Sequence, residues 1–104
     1  MNLREIGIEP RRSKAWEPGH GEIIRFVTDD GDCFGFLWHS LQFGTYVAAE
    51  QVLLLQYGIG AIMITGPKTE DLWVDFCEHR VRLVKADNVD IVSVKIRLRQ
   101  DKEG

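Results

Sequence analysis

The run QVLLLQYGIGAIMIT (51–65) constrains this chain more than any other stretch. Two apolar segments flank Gly58-Ile59-Gly60, and a short glycine-bearing connection between such segments favours the tight turns whose twist matches a β-hairpin. The unbroken VLLL would also suit a buried helix, but the glycine-rich turn and the β-branched return segment favour strands. With Gly58-Ile59 as a type II′ turn, Leu55 stands opposite Ile62 and Leu53 opposite Ile64, forming a core face. Leu54 and Met63 pair on the reverse face, which is apolar as well.

Gly66-Pro67 stops the second strand, and the spacing predicts one amphipathic helix running from there to Val84. Proline suits a first helical turn, where its missing N–H would lack a partner in any case, and Glu70 and Asp71 complement the positive end of the helix dipole. Asn88 is expected as a left-handed cap. At ~100° per residue, Leu72, Trp73, Val74, Phe76, Cys77, Val81, Leu83 and Val84 form an apolar arc of roughly 200°. A helix on one sheet needs a narrower stripe, so this arc predicts cover on two sides and hence a subunit interface. Arg80 falls inside the arc beside Trp73 and Phe76. Either its stem lies on the aromatic surface with the guanidinium reaching water, or the guanidinium is buried against a carboxylate or an anionic ligand.

Upstream, EIIRFVT (22–28) and CFGFLWH (33–39) flank Asp29-Asp30-Gly31-Asp32, and Asp-Gly between β-rich segments predicts a second hairpin with a type I′ turn. In that register Val27 faces Phe34, Arg25 faces Phe36 and Ile23 faces Trp38. On the other side Phe26 covers Gly35 and Glu22 meets His39. Both faces of this hairpin would then be mostly apolar, a second reason to expect a partner surface. The segment SLQFGTYVAAE (40–50) gives no clear pattern and is assigned only as a connection. The segment 91–99 closes the chain as a strand, with Val92, Val94, Ile96 and Leu98 on one face and Ser93, Lys95, Arg97 and Arg99 on the other.

Residues 1–20, broken by Gly7, Pro10, Pro18 and Gly19, read as an extended arm in which Trp16 must tuck into a groove. Residues 21–99 form one α+β domain and 100–104 a frayed tail. The expected architecture is a mostly antiparallel five-stranded curved sheet or small open barrel, made of two hairpins, one amphipathic helix and a closing strand. At 104 residues such a chain buries about two-thirds of its unfolded surface and needs neither disulfide nor metal to fold. Cys33 and Cys77 stand singly, which favours a reducing, cytoplasmic setting with both thiols as small buried hydrophobes. No apolar run approaches the ~20 residues of a membrane span, and the first residues lack the apolar core of a secretion signal.

Chemistry is sparse. Cys77 and His79 point away from each other on a helix and share no ion; Asp75 and His79, one turn apart, could supply two ligands that only His39 or His20 could complete, and two weak ligands on a polar face usually mark a solvated face, so neither metal nor cofactor is expected. Glu22 and His39, as a cross-strand pair, form at most a weak acid–base candidate. Gly58-x-Gly60 lies in a hairpin turn and is no phosphate loop. Three function classes remain. The leading one is a non-enzymatic homo-oligomer or protein-interaction module using Trp73, Phe76, Phe34, Phe36 and Trp38. The second is a nucleic-acid-binding accessory protein using Lys95, Arg97 and Arg99 with the arm bases Arg11, Arg12 and Lys14, disfavoured by the net charge of −3 and the acidic body. The third is an anion or small-ligand site around Arg80.

Overall fold

Strand β5 (Val52–Tyr57) and strand β6 (Gly60–Thr65) pair antiparallel, with Leu55 opposite Ile62 and Leu53 opposite Ile64 as the pattern predicts. All four side chains are buried, and Leu54 and Met63 meet on the solvent side. The connecting turn differs in type, because neither Gly58 nor Ile59 takes the positive φ that a II′ turn demands. The computed structural model describes residues 15–99, so the arm residues 1–14, with Arg11, Arg12 and Lys14, and the expected tail 100–104 lie outside the described residues.

The architecture is α+β, with eight strands in two sheets and one helix. The remaining elements are β1 (Trp16–Pro18), β2 (Ile23–Val27), β3 (Cys33–Leu37), a 3₁₀ turn (Trp38–Ser40), β4 (Leu41–Val47), α1 (Thr69–Cys77), β7 (Val81–Lys85) and β8 (Ser93–Leu98). The expected single five-stranded sheet is replaced by two four-stranded sheets, ordered β1-β7-β2-β3 and β4-β5-β6-β8. Three segments account for the difference: 16–18, 41–47 and 81–85 are all strands. In the first sheet β7 runs parallel to β2 and antiparallel to β1, so its backbone is paired on both sides.

The helix therefore ends at Cys77, not at Val84. His79 adopts left-handed φ of 59°, the N–H of His79 donates to the Phe76 carbonyl and that of Arg80 to the Asp75 carbonyl, both at 3.0 Å. This pair of bonds is a Schellman cap, with histidine among the non-glycine residues that most readily take left-handed φ. Beyond it, Val81–Lys85 gains more as a central strand than as extra helix, since Val81 and Val84 are buried there while Val84 pairs with Phe26 and Trp16. The broad apolar arc never forms. Asn88 is left-handed at φ 63° as expected, but in the loop before β8 instead of at a helix end.

The β2–β3 hairpin is slipped by one residue from the expected register. Its turn has three loop residues, Asp29 to Gly31, closed by Thr28 N–H to the Asp32 carbonyl at 2.8 Å and Gly31 N–H to the Thr28 carbonyl at 2.9 Å. Gly31 takes φ of 90°, as in a type I turn followed by a left-handed residue. Phe26 therefore faces Phe34, Ile24 faces Phe36 and Arg25 faces Gly35. A one-residue slip changes which side chains share a face; here it gathers Ile24, Phe26, Phe34 and Phe36 on the inner side and leaves Ile23 and Leu37 exposed on the outer.

The inner faces of both sheets and one side of α1 share a single core. Tyr57 of the second sheet lies 4.5 Å from Phe36 and 6.5 Å from Phe26 of the first, centroid to centroid, and Phe26 lies 6.5 Å from Phe76 of the helix. Trp16 is buried, as its isolation in a polar segment predicts, and it seats β1 on β7. Both cysteines are free and exposed, contrary to the expectation of buried thiols, because β3 is an edge strand and Cys77 is the last helical residue. Among the described residues no helix is long and apolar enough to cross a membrane.

Candidate functional site

The helix C-terminus gathers several of the residues singled out in the sequence. Asp75, in the last turn of α1, accepts a hydrogen bond from Trp16 Nε1 at 3.0 Å through Oδ2 and faces the Arg80 guanidinium at 3.5 Å through Oδ1. Arg80 also pairs with Glu78. Its side chain is 52% exposed, so the guanidinium sits in water between the Asp75 and Glu78 carboxylates and is not a buried fork awaiting an anion. Exposed pairs of this kind add little stability.

Beside this polar corner, Trp38 lies 4.6 Å from Phe76 and stacks on His79 at 4.5 Å with an interplanar angle of 8°. Phe76 and Phe36 are buried, Phe34 and Trp38 half-buried, and Trp73 packs over Gly44 of β4. These aromatics are spent on the core. A base could stack on Phe36 only by unpacking Tyr57, with which it is in ring contact.

Glu22 and His39 are not brought together. The Glu22 carbonyl accepts the Trp38 N–H at 2.8 Å, so the slip moves His39 out of register with it. Glu22 borders a hollow with His20, Arg25 and Arg82. His39 borders a different cleft of about 630 Å³ between the sheets, with Phe36, Ser40, Gln42 and Ile59. His79 has turned onto Trp38 at the helix cap and Asp75 toward Trp16 and Arg80, so the two share no metal-ligating face. Among the described residues no three His, Cys, Asp or Glu side chains cluster as a metal site. Partial desolvation, and then the neighbouring Glu78 charge, push the Cys77 thiol up, which keeps it protonated and poorly nucleophilic.

Three features escaped the sequence reading. Phe43 lies in strand β4, whose alternation through Phe43, Thr45 and Val47 was a usable period-two signal interrupted by a register irregularity between Leu41 and Phe43. Asp29 bridges the sheets: its N–H donates to the Val94 carbonyl at 3.1 Å, and its carboxylate accepts from Val94 N–H at 2.9 Å and Ser93 Oγ at 2.7 Å. Asp87 Oδ1 accepts from the N–H groups of Val89, Asp90 and Ile91. Neither aspartate carries a sequence signal for its partners beyond turn preference.

The solvent side of the second sheet carries exposed apolar side chains on neighbouring strands. Cross-strand registers place Thr45, Leu54, Met63 and Lys95 in one row, and Phe43, Gln56, Ala61 and Arg97 in the next. Phe43 is 58% exposed, Leu54 38% and Met63 40%. No family model, curated protein or solved structure matches the chain.

Proposed function

We propose that the chain is a non-enzymatic interaction module that pairs with a second copy of itself through the outer face of β4-β5-β6-β8. The observation that carries this reading is the Phe43, Leu54 and Met63 patch on a four-stranded sheet whose other face is already filled by the core. An apolar centre with a polar rim is the usual anatomy of a protein interface, and Thr45 on β4 with Lys95 and Arg97 on β8 supply polar edges on either side. The site differs from the helix arc and the aromatic hairpin first considered, since those residues now serve the core.

A second copy suits the face geometrically. A two-fold axis along the strands, between β5 and β6, would set the β8 edge of one copy over β4 of the other. The Lys95 and Arg97 stems would then cover the partner's Phe43, an arrangement that gains from cation–π attraction. Light scattering of the purified chain tests the reading. The expected mass at tens of micromolar is that of a dimer, falling to monomer in the Leu54→Asp/Met63→Asp variant with the fold retained. A parent that stays monomeric at that concentration overturns it.

A further inference from the structure

We propose that the hollow lined by His20, Arg25 and Arg82 is a binding site for a phosphate-class anion, either free phosphate or a small phosphate ester. It belongs to the first sheet and to the connection between β1 and β2, and is independent of the dimer face proposed above.

The hollow has a volume of about 350 Å³ and is bordered by His20, Gly21, Glu22, Ile23, Arg25 and Arg82. Arg25 on β2 and Arg82 on the adjacent strand β7 both line this hollow, together with His20. Two arginines and one lining carboxylate, Glu22, leave room for a further anionic occupant, and planar guanidinium forks match the oxygens of a phosphate.

Arg25 is the sharper observation. It lies at the middle of β2 with Gly35 opposite on β3 and Leu83 opposite on β7, so neither cross-strand neighbour offers it a carboxylate. It is exposed, and among the described residues it has no ion-pair partner, as is also true of Lys85, Arg97 and Arg99, whereas Arg82, which lines the same hollow, pairs with Glu17. In a body where residues 21–79 carry nine acids against Arg25 and Lys68, an arginine left unpaired is out of keeping with its surroundings.

Arg82 is aimed by the backbone. A Cβ on Gly19 would come within 2.5 Å of Arg82 Cδ, so the bare glycine, at φ 146°, lets the arginine stem pass across β1. Gly19 is itself held on β7 by its N–H to the Arg80 carbonyl at 3.0 Å. The guanidinium then meets Glu17 at 3.7 Å, longer than a good charge-assisted hydrogen bond. Glu17 is thus a loosely held internal competitor that a doubly charged phosphate would displace.

Titration of the full chain with inorganic phosphate at low ionic strength, read by amide chemical shifts, tests the site. Saturable shifts are expected at His20, Gly21, Ile23, Arg25 and Arg82. Arg25→Gln should weaken binding at least tenfold, Arg25→Lys several-fold because the charge remains but the fork is lost, and Glu17→Gln should tighten it several-fold. O-phosphoserine distinguishes the sources: tighter binding than phosphate assigns the site to esters, equal or weaker binding to the free anion. The spectra report folding directly, so an unfolded Arg25→Gln is replaced by Arg25→Lys as the deciding variant. No saturable shifts around the hollow, or unchanged affinity in a folded Arg25 variant, overturns the proposal.

Discussion

Trp16 Nε1 donates to Asp75 Oδ2 at 3.0 Å and thereby joins the first residue of β1 to the last turn of α1. The bond is partly buried, and its acceptor also faces Arg80. Trp16→Phe keeps much of the apolar contact but removes the donor, and should cost about 1–3 kcal/mol in urea unfolding. Asp75→Ala should cost a similar amount, and the double variant less than the sum, with a coupling of about 0.5–1.5 kcal/mol. Full additivity would mean that the two residues stabilise the fold separately.

Asp29 should make stability pH-dependent. The Val94 N–H, then the Ser93 hydroxyl, hold its carboxyl below the ordinary carboxylate value. A depressed folded-state value means the contribution is complete above the unfolded-state value and is lost as pH falls through the folded-state one. Asp29→Asn should therefore lower stability at neutral pH and flatten the acid limb of the stability curve. Urea midpoints measured from neutral to acidic pH check this; parallel curves for parent and variant would remove Asp29 from the acid response.

Tyr57 is fully buried between the sheets, and its hydroxyl has no hydrogen-bond partner. Burial pushes its pKa well up, because the phenolate is more costly to desolvate than the phenol. An unpaired buried hydroxyl disfavours folding, so Tyr57→Phe should leave stability unchanged or raise it by about 1 kcal/mol. A loss of more than that in thermal or urea unfolding would show that the hydroxyl is bonded in solution.

Gly44 allows β4 to pass beneath Trp73. A Cβ there would lie 2.7 Å from Trp73 Cζ3 and 3.1 Å from Leu55 Cδ2. Gly44→Ala should cost about 1–3 kcal/mol through displaced packing, with a change in tryptophan fluorescence as Trp73 shifts. Gly44→Ala with the parent's stability and emission would show that the indole has room to move.

Much of the β5–β6 hairpin was legible because its signals are local. VLLL and AIMIT carry the apolar pattern, the two-residue turn sets the register, and Leu53, Leu55, Ile62 and Ile64 follow from it. The first hairpin was legible as an element but not in register, since Asp-Gly serves both a two-residue type I′ turn and a three-residue loop with left-handed glycine. That single ambiguity produced the impression of two apolar faces. The helix showed the same weakness at its far end. EHRVRLVK suits an amphipathic helix by period, and only His79 in left-handed conformation and the vacancy between β1 and β2 turn it into a strand.

The sites divide along the same line. Trp16 was readable as buried, and Leu54 and Met63 as a pair on the reverse face of their hairpin, from residue type and pairing alone. That Arg25 shares a hollow with Arg82, 57 positions apart in number, or that Asp29 would hold β8, required knowledge of which strands become neighbours.

By itself the sequence determined where the chain turns, which short runs are extended, and that an α+β composition results. Those properties arise from backbone preferences and side-chain period within a few residues. The tertiary structure decided how many sheets there are, where α1 yields to β7, and which charges meet. These depend on competition for the same backbone hydrogen bonds and the same core space among segments distant in sequence, and no local pattern records the outcome of that competition.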